Sequence, residues 1–191
     1  MAAPSERSRA ASVVYATTST LLFGVSAIYH RGHWKQRARN LLKRLDHANI
    51  YLMIAGSYTP IAVLALKGDV RTVVLAAIWS AASVGVAFRL IWVGAPRWLY
   101  TPLYILLGWV AVLLAPQILR GAGETAFILI VTGGLLYTLG GLVYGLRWPD
   151  PWPKWFGFHE IFHSFTIAAY ATQYAAVSLL VLGATRPLLA G

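Results

Sequence analysis

Six stretches of this chain are each long and apolar enough to cross a bilayer, and that repetition constrains the fold more than any single motif. They run Ala10–His30, His47–Leu66, Val70–Val93, Trp98–Leu119, Thr125–Leu146 and Glu160–Gly183. A hydrocarbon core about 30 Å thick needs roughly 20 apolar residues per helix. The expected architecture is therefore an all-α integral membrane protein, a helical bundle of six transmembrane spans in one domain over residues 1–191. The connections Arg31–Asp46, Lys67–Asp69, Gly94–Arg97, Arg120–Glu124 and Arg147–His159 are marked by Gly, Pro and charge, and none is long enough to hold a separate domain. Met1 to Arg9 is polar and leads into the first apolar run without a convincing cleavage site, so that run is expected to be a retained span and not a signal peptide.

Composition points the same way, with 58% hydrophobic and 12% charged residues. The net charge of +10 raises nucleic acid as a partner, but a nucleic-acid binder gathers its cations on a solvated domain. Here the cations sit mainly in short loops, so membrane lipids and not nucleic acid are the expected partners. Cysteine is absent, which excludes disulfides and thiolate metal sites and leaves His and carboxylate as the possible metal ligands.

The cations also set an orientation. The first connection carries Arg31, Lys35, Arg37, Arg39, Lys43 and Arg44 against Asp46 alone, which the positive-inside rule places in the cytoplasm of a cell inner or plasma membrane. Alternation then puts Gly94–Arg97 and the Trp148–Trp155 connection on the same side, and both chain ends on the other. Trp34, Trp98, Trp148, Trp152 and Trp155 flank these helix ends, as expected of an aromatic belt at headgroup level.

That topology brings distant polar groups to one depth. His30 ends the first span, Asp46 opens the second, and His159 and His163 open the sixth. His159 and His163 are four positions apart and share a helix face, so both imidazoles reach one ion; Ser26 lies one turn from His30 on its own helix. Ionisable groups in a membrane segment are costly and usually face a cavity or the bundle interior. The plain alternative for any one of these histidines is an interfacial side chain bonded to water or headgroups. With spans one, two and six as neighbours, the group becomes three imidazoles and a carboxylate.

Three histidines leave one position open on a tetrahedral Zn²⁺, where a bound water has its pKa lowered to about 7. Asp46 then bonds that water or accepts the far N–H of a ligand, and Ser26 donates to a substrate carbonyl or to the water. His159-Glu160-Ile161-Phe162-His163 also fits the H-E-x-x-H pattern of zinc peptidases, with Glu160 as general base. Such short patterns recur by chance, and a membrane-embedded protease calls for a third, acidic ligand on another span. Haem needs axial imidazoles from facing helices, and a pair on one helix argues for a small ion. His33 and His47 are expected on a solvated face, and Arg89 is expected to snorkel to the interface. The Gly-rich stretches Ala55-Gly56-Ser57, Gly133-Gly134 and Gly140-Gly141 suit close helix packing, and Pro60, Pro102 and Pro116 are expected to kink their spans.

The residues resemble those of the hemolysin III family, bacterial relatives of the progestin and adiponectin receptors within a wider superfamily that includes alkaline ceramidases. The resemblance rests on Ser26-Ala27-Ile28-Tyr29-His30, on Arg44-Leu45-Asp46-His47 followed by Ile54 to Pro60, on Leu107-Gly108-Trp109, on Gly133 to Thr138 and on Phe158 to His163, in that order along nearly the whole chain. It implies a zinc ion bound by His30, His159 and His163, with Ser26 and Asp46 as the other polar motif residues. It also makes Glu160 a chance completion of the peptidase pattern. Members usually have seven spans, and the resemblance implies one more span before the Ser-x-x-x-His helix than this sequence shows. The resemblance therefore implies a shortened form or a misassigned start at Met1. The function expected is zinc-dependent hydrolysis of a lipid amide or ester in membrane lipid homeostasis. A non-catalytic sensor or receptor stapled by zinc is the alternative, and the H-E-x-x-H protease and a pore-forming hemolysin are minor ones.

Overall fold

The computed structural model describes residues 6–92 and 94–185. The first residues of the polar N-terminus, Met1 to Ser5, and the expected end of the third span at Val93 lie outside the described residues. The chain folds into α1 (Glu6–Arg31), α2 (Gln36–Ala65), α3 (Gly68–Ile91), α4 (Arg97–Gly108), α5 (Val110–Leu113), α6 (Ala115–Ala122), α7 (Glu124–Leu146) and α8 (Phe158–Thr185). Five of these helices are long and apolar enough to cross a membrane, and α4 to α6 make a sixth span if the bent pair is taken as one. The architecture is that of an integral membrane helical bundle, as the apolar runs predict.

Two boundaries differ from the sequence reading for physical reasons. The first connection shrinks to a few residues before Gln36, because Gln36 to Leu45 contains no Gly or Pro and is built from good helix formers such as Arg, Leu and Lys. The fourth span breaks, with a bend of 64° between Arg97–Leu113 and Ala115–Ala122. Pro116 lies in the first turn of α6, where its missing N–H cannot continue the preceding helix. Pro60 and Pro102, by contrast, sit inside helices that continue past them.

The helices group into two compact units. One comprises the chain up to Ala95 together with the end of α8 from Val181, and the other runs from Pro96 to Leu180. In the first unit α1 packs on α2 and α2 on α3. Gly56 makes the first approach possible, since a Cβ there would fall on the Thr18 side chain. Asn49 Nδ2 donates to the Leu21 carbonyl at 3.0 Å, and Trp79 Nε1 donates to Thr59 Oγ1 at 3.2 Å, so side-chain hydrogen bonds tie all three helices. In the second unit Gly133 and Gly140 let α7 approach α8 at Gln173 and Phe165. Gln173 Nε2 donates to the Ile130 carbonyl at 3.1 Å, and Trp109 Nε1, between α4 and α5, donates to Thr138 Oγ1 at 2.8 Å.

Arg89 does not snorkel. Its side chain is 1% exposed, held in the first unit near Tyr51, whose ring packs against Gly85 one turn earlier on α3. His47 also departs from expectation. It is buried, and its Nδ1–H donates to the Lys43 carbonyl at 2.7 Å, because the helix that replaces the expected loop supplies that carbonyl one turn back. His33 is exposed as expected.

Candidate metal centre

In the first unit, one group of polar residues is built where α1 ends and α2 is in its third turn. His30 stands in the last turn of α1, exposed, with the Tyr29 ring edge-on at 4.6 Å between centroids. Ser26, one turn back, hydrogen-bonds the carboxylate of Asp46, and His30 is close enough to interact with that carboxylate electrostatically. Asp46 is half-buried and lies 3.9 Å from His47 Nδ1, too far for a hydrogen bond. Ser26, His30 and Asp46 therefore meet although they lie on two helices.

In the second unit, the start of α8 holds a pair of imidazoles. His159 Nε2 and His163 Nε2 face one another at 3.2 Å, with the rings nearly perpendicular. Two imidazole nitrogens bound to one tetrahedral zinc at 2.0–2.1 Å lie about 3.3 Å apart, so the pair already has the spacing an ion requires. Tyr144 of α7 packs on His159 at 6.0 Å and on Phe162 at 5.0 Å. The Arg97 guanidinium covers the other side of that cluster, 4.4 Å from the Tyr144 ring and 5.4 Å from Phe158. Neither Arg97 nor Tyr144 carries a metal-ligand or catalytic signature in the sequence, so nothing short of the structure shows that they buttress His159.

Glu160 has a different task. Its Oε2 accepts the backbone N–H of Gly157 at 2.9 Å, while Asp150 Oδ1 accepts the N–H of Phe158 at 2.9 Å. This is a capping box in which Asp150 replaces the usual N-cap side chain, and the N3 position of Glu160 three residues after Gly157 is its sequence signal. Gly157 is required at the cap, since a Cβ there would meet Asp150 Oδ1. Glu160→Gln, which keeps an acceptor but removes the charge, should lower thermal stability by no more than about 1 kcal/mol. It should leave metal content unchanged in elemental analysis; loss of metal or of all activity would restore the peptidase assignment of Glu160.

His159 and His163 offer two imidazole nitrogens in the second unit, and His30 offers a third in the first. The donor set is nitrogen alone, which suits zinc and similar borderline ions better than calcium or magnesium.

The fold and the imidazole pair of α8 define a class: a multi-pass, all-helical membrane protein with a candidate metal centre at helix ends. The chain belongs to the haemolysin-III related family, whose pattern it matches over residues 1–174, a range that includes Ser26, His30, Asp46, His159 and His163. It is 31% identical over 172 residues to Hemolysin-3 of Bacillus cereus, covering 90% of this chain and 75% of that protein. It is 29% identical over 164 residues to the Hemolysin-3 homolog of Bacillus subtilis strain 168, covering 86% of this chain and 74% of that protein.

Proposed function

We propose that this protein is a zinc-dependent hydrolase of a membrane-lipid amide or ester, with the ion held by His30, His159 and His163 on the cytoplasmic side of the cell membrane. The observation that carries the reading is the pair of imidazole nitrogens 3.2 Å apart on α8, together with the hydrogen-bonded Ser26 and Asp46 beside His30 in the first unit. Three protein ligands leave a fourth position free, the arrangement of catalytic and not of structural zinc. Bound there, zinc would supply Lewis acidity and an activated water.

The chain's own residues account for the rest of the chemistry. Asp46 accepts the proton of the attacking water and returns it to the departing amine or alcohol. Ser26 gives its single O–H to that carboxylate when no substrate is present and turns it to the carbonyl oxygen when substrate binds. His159 is steadied by the Tyr144 and Arg97 cluster, which fixes the ring direction a ligand needs. The level of the site matters too. Trp98, Trp148, Trp152 and Trp155 are all more than 60% exposed at the end of the second unit that holds His159. An interfacial belt there supports a site at the depth of a lipid's headgroup linkage.

The relatives' names refer to haemolysis. The spans here present exposed apolar residues such as Val73, Val84 and Ile167, which suit contact with lipid and not the lining of an aqueous pore. The decisive assay supplies purified protein with ceramide-like and phospholipid substrates. Product release should fall by more than about 100-fold when zinc is chelated and return when zinc is restored. No zinc-dependent turnover on either substrate class would overturn the hydrolase.

A further inference from the structure

The unit formed by α1, α2 and α3 has a second feature at its other end. A cleft of about 350 Å³ opens between the start of α1, the end of α2 and the start of α3. Along α1 the helix rises about 35 Å from Arg7 to His30, which is roughly the thickness of a bilayer core. The cleft and the His30 end therefore belong to opposite membrane faces.

The lining surface is almost wholly apolar, so Arg7 and Arg71 contribute to it mainly through their aliphatic stems. Ala11 and Val14 come from α1 and Val63 from α2, while Arg7 and Arg71 come from the first turns of α1 and α3. Thr59 also lines the cleft, but its hydroxyl is committed: it donates to the Ala55 carbonyl at 2.8 Å and accepts Trp79 Nε1–H at 3.2 Å. Arg71 Nε donates to the Leu66 carbonyl at 3.0 Å, which pins the side chain and leaves its terminal nitrogens to point donors elsewhere. Among the described residues neither Arg7 nor Arg71 forms an ion pair.

An apolar cleft at headgroup depth, bordered by two arginines that form no ion pair among the described residues, is complementary to an anionic amphiphile. A soluble anion has no use for Val14 and Val63, and a zwitterionic headgroup brings its own cation against the two arginines. We propose that the cleft binds one anionic phospholipid of the bilayer, with its phosphate between Arg7 and Arg71 and the upper part of one acyl chain along Val14 and Val63. Bound there, the lipid bridges α1 to α2 and α3, so it stabilises the packing that carries His30 and Asp46 at the far end.

Native mass spectrometry of the purified full chain, titrated with phosphatidylglycerol or phosphatidylcholine of the same acyl composition, tests this. Phosphatidylglycerol should bind at least about tenfold more tightly. A basic side chain at a headgroup surface is worth about fivefold, so Arg7→Gln with Arg71→Gln should weaken that lipid about 25-fold, while Arg9→Gln should change its affinity less than about fivefold. Val63→Trp fills the cleft without altering charge and should abolish the preference; it serves equally if the arginine variant does not fold. Equal affinity for the two lipids, a preference that survives both variants, or displacement of phosphatidylglycerol by an equimolar free fatty acid would each overturn the proposal.

Discussion

Replacing His163 with alanine should empty the metal centre. Detergent-purified wild-type protein, dialysed against buffer with trace zinc, is expected to carry about one zinc per chain in elemental analysis, and His163→Ala less than about a tenth of that. The magnitude follows from the size of zinc binding. Structural sites with four protein ligands bind with about 10–16 kcal/mol, so one imidazole carries roughly 3 kcal/mol, or a loss of about 100-fold in affinity. His163 is the sharpest position for the test because its Nε2 lies 3.2 Å from His159 Nε2, and removing it leaves no second ligand on α8. Fold is monitored by circular dichroism, and His33→Ala is the control, since His33 is an exposed histidine outside the group. Unchanged zinc in His163→Ala would end the metal assignment. Zinc lost equally from His33→Ala would show adventitious binding to surface imidazole.

How much of this was open to view in the sequence depended on the range of the interaction involved. The spans were legible because solvation by lipid acts on composition averaged over about 20 residues, and no tertiary contact is needed to recognise it. His159 and His163 were legible because a helix converts a spacing of four into proximity. Ser26, His30 and Asp46 were reachable by depth, since topology alone puts the end of one span and the start of the next on one side. What failed was local. The stretch Gln36 to Leu45 reads as a basic loop by charge, yet it is helix by propensity, and that helix buries His47 against its own turn. Arg89 looked like a snorkelling cation because its one-dimensional position is near a helix end. Which way a side chain faces is decided by the neighbouring helix, and Tyr51 is a tertiary neighbour that no spacing announces. Tyr144 and Arg97 escaped notice for the same reason, since they act on His159 by packing and not by chemistry.

Asp46→Asn is expected to separate a catalyst from a zinc-stapled sensor. Asparagine keeps the size and one carbonyl acceptor for the Ser26 hydroxyl, so the packing of α1 on α2 should hold and the melting temperature in detergent should change little. Asparagine cannot take up a proton, however, and a general base or acid contributes about 10²–10⁴-fold to rate. Turnover of the lipid substrate should therefore fall by that factor in kcat, while a carboxylate that only orients a ligand would instead show as zinc affinity reduced about 10–100-fold. Measuring both quantities on the same preparation makes the outcome readable. Lost turnover with zinc retained assigns Asp46 to proton transfer; lost zinc with turnover restored by excess metal assigns it to ligand orientation. Ser26→Ala removes a hydrogen bond to a charged group, worth about 1.5–3 kcal/mol, and should produce a smaller fall in the same parameter that Asp46→Asn affects. A stapled sensor predicts the opposite pattern, with His30→Ala unfolding the protein and Asp46→Asn leaving its response intact. The hydrolase reading fails if Asp46→Asn leaves both turnover and zinc affinity at the wild-type level.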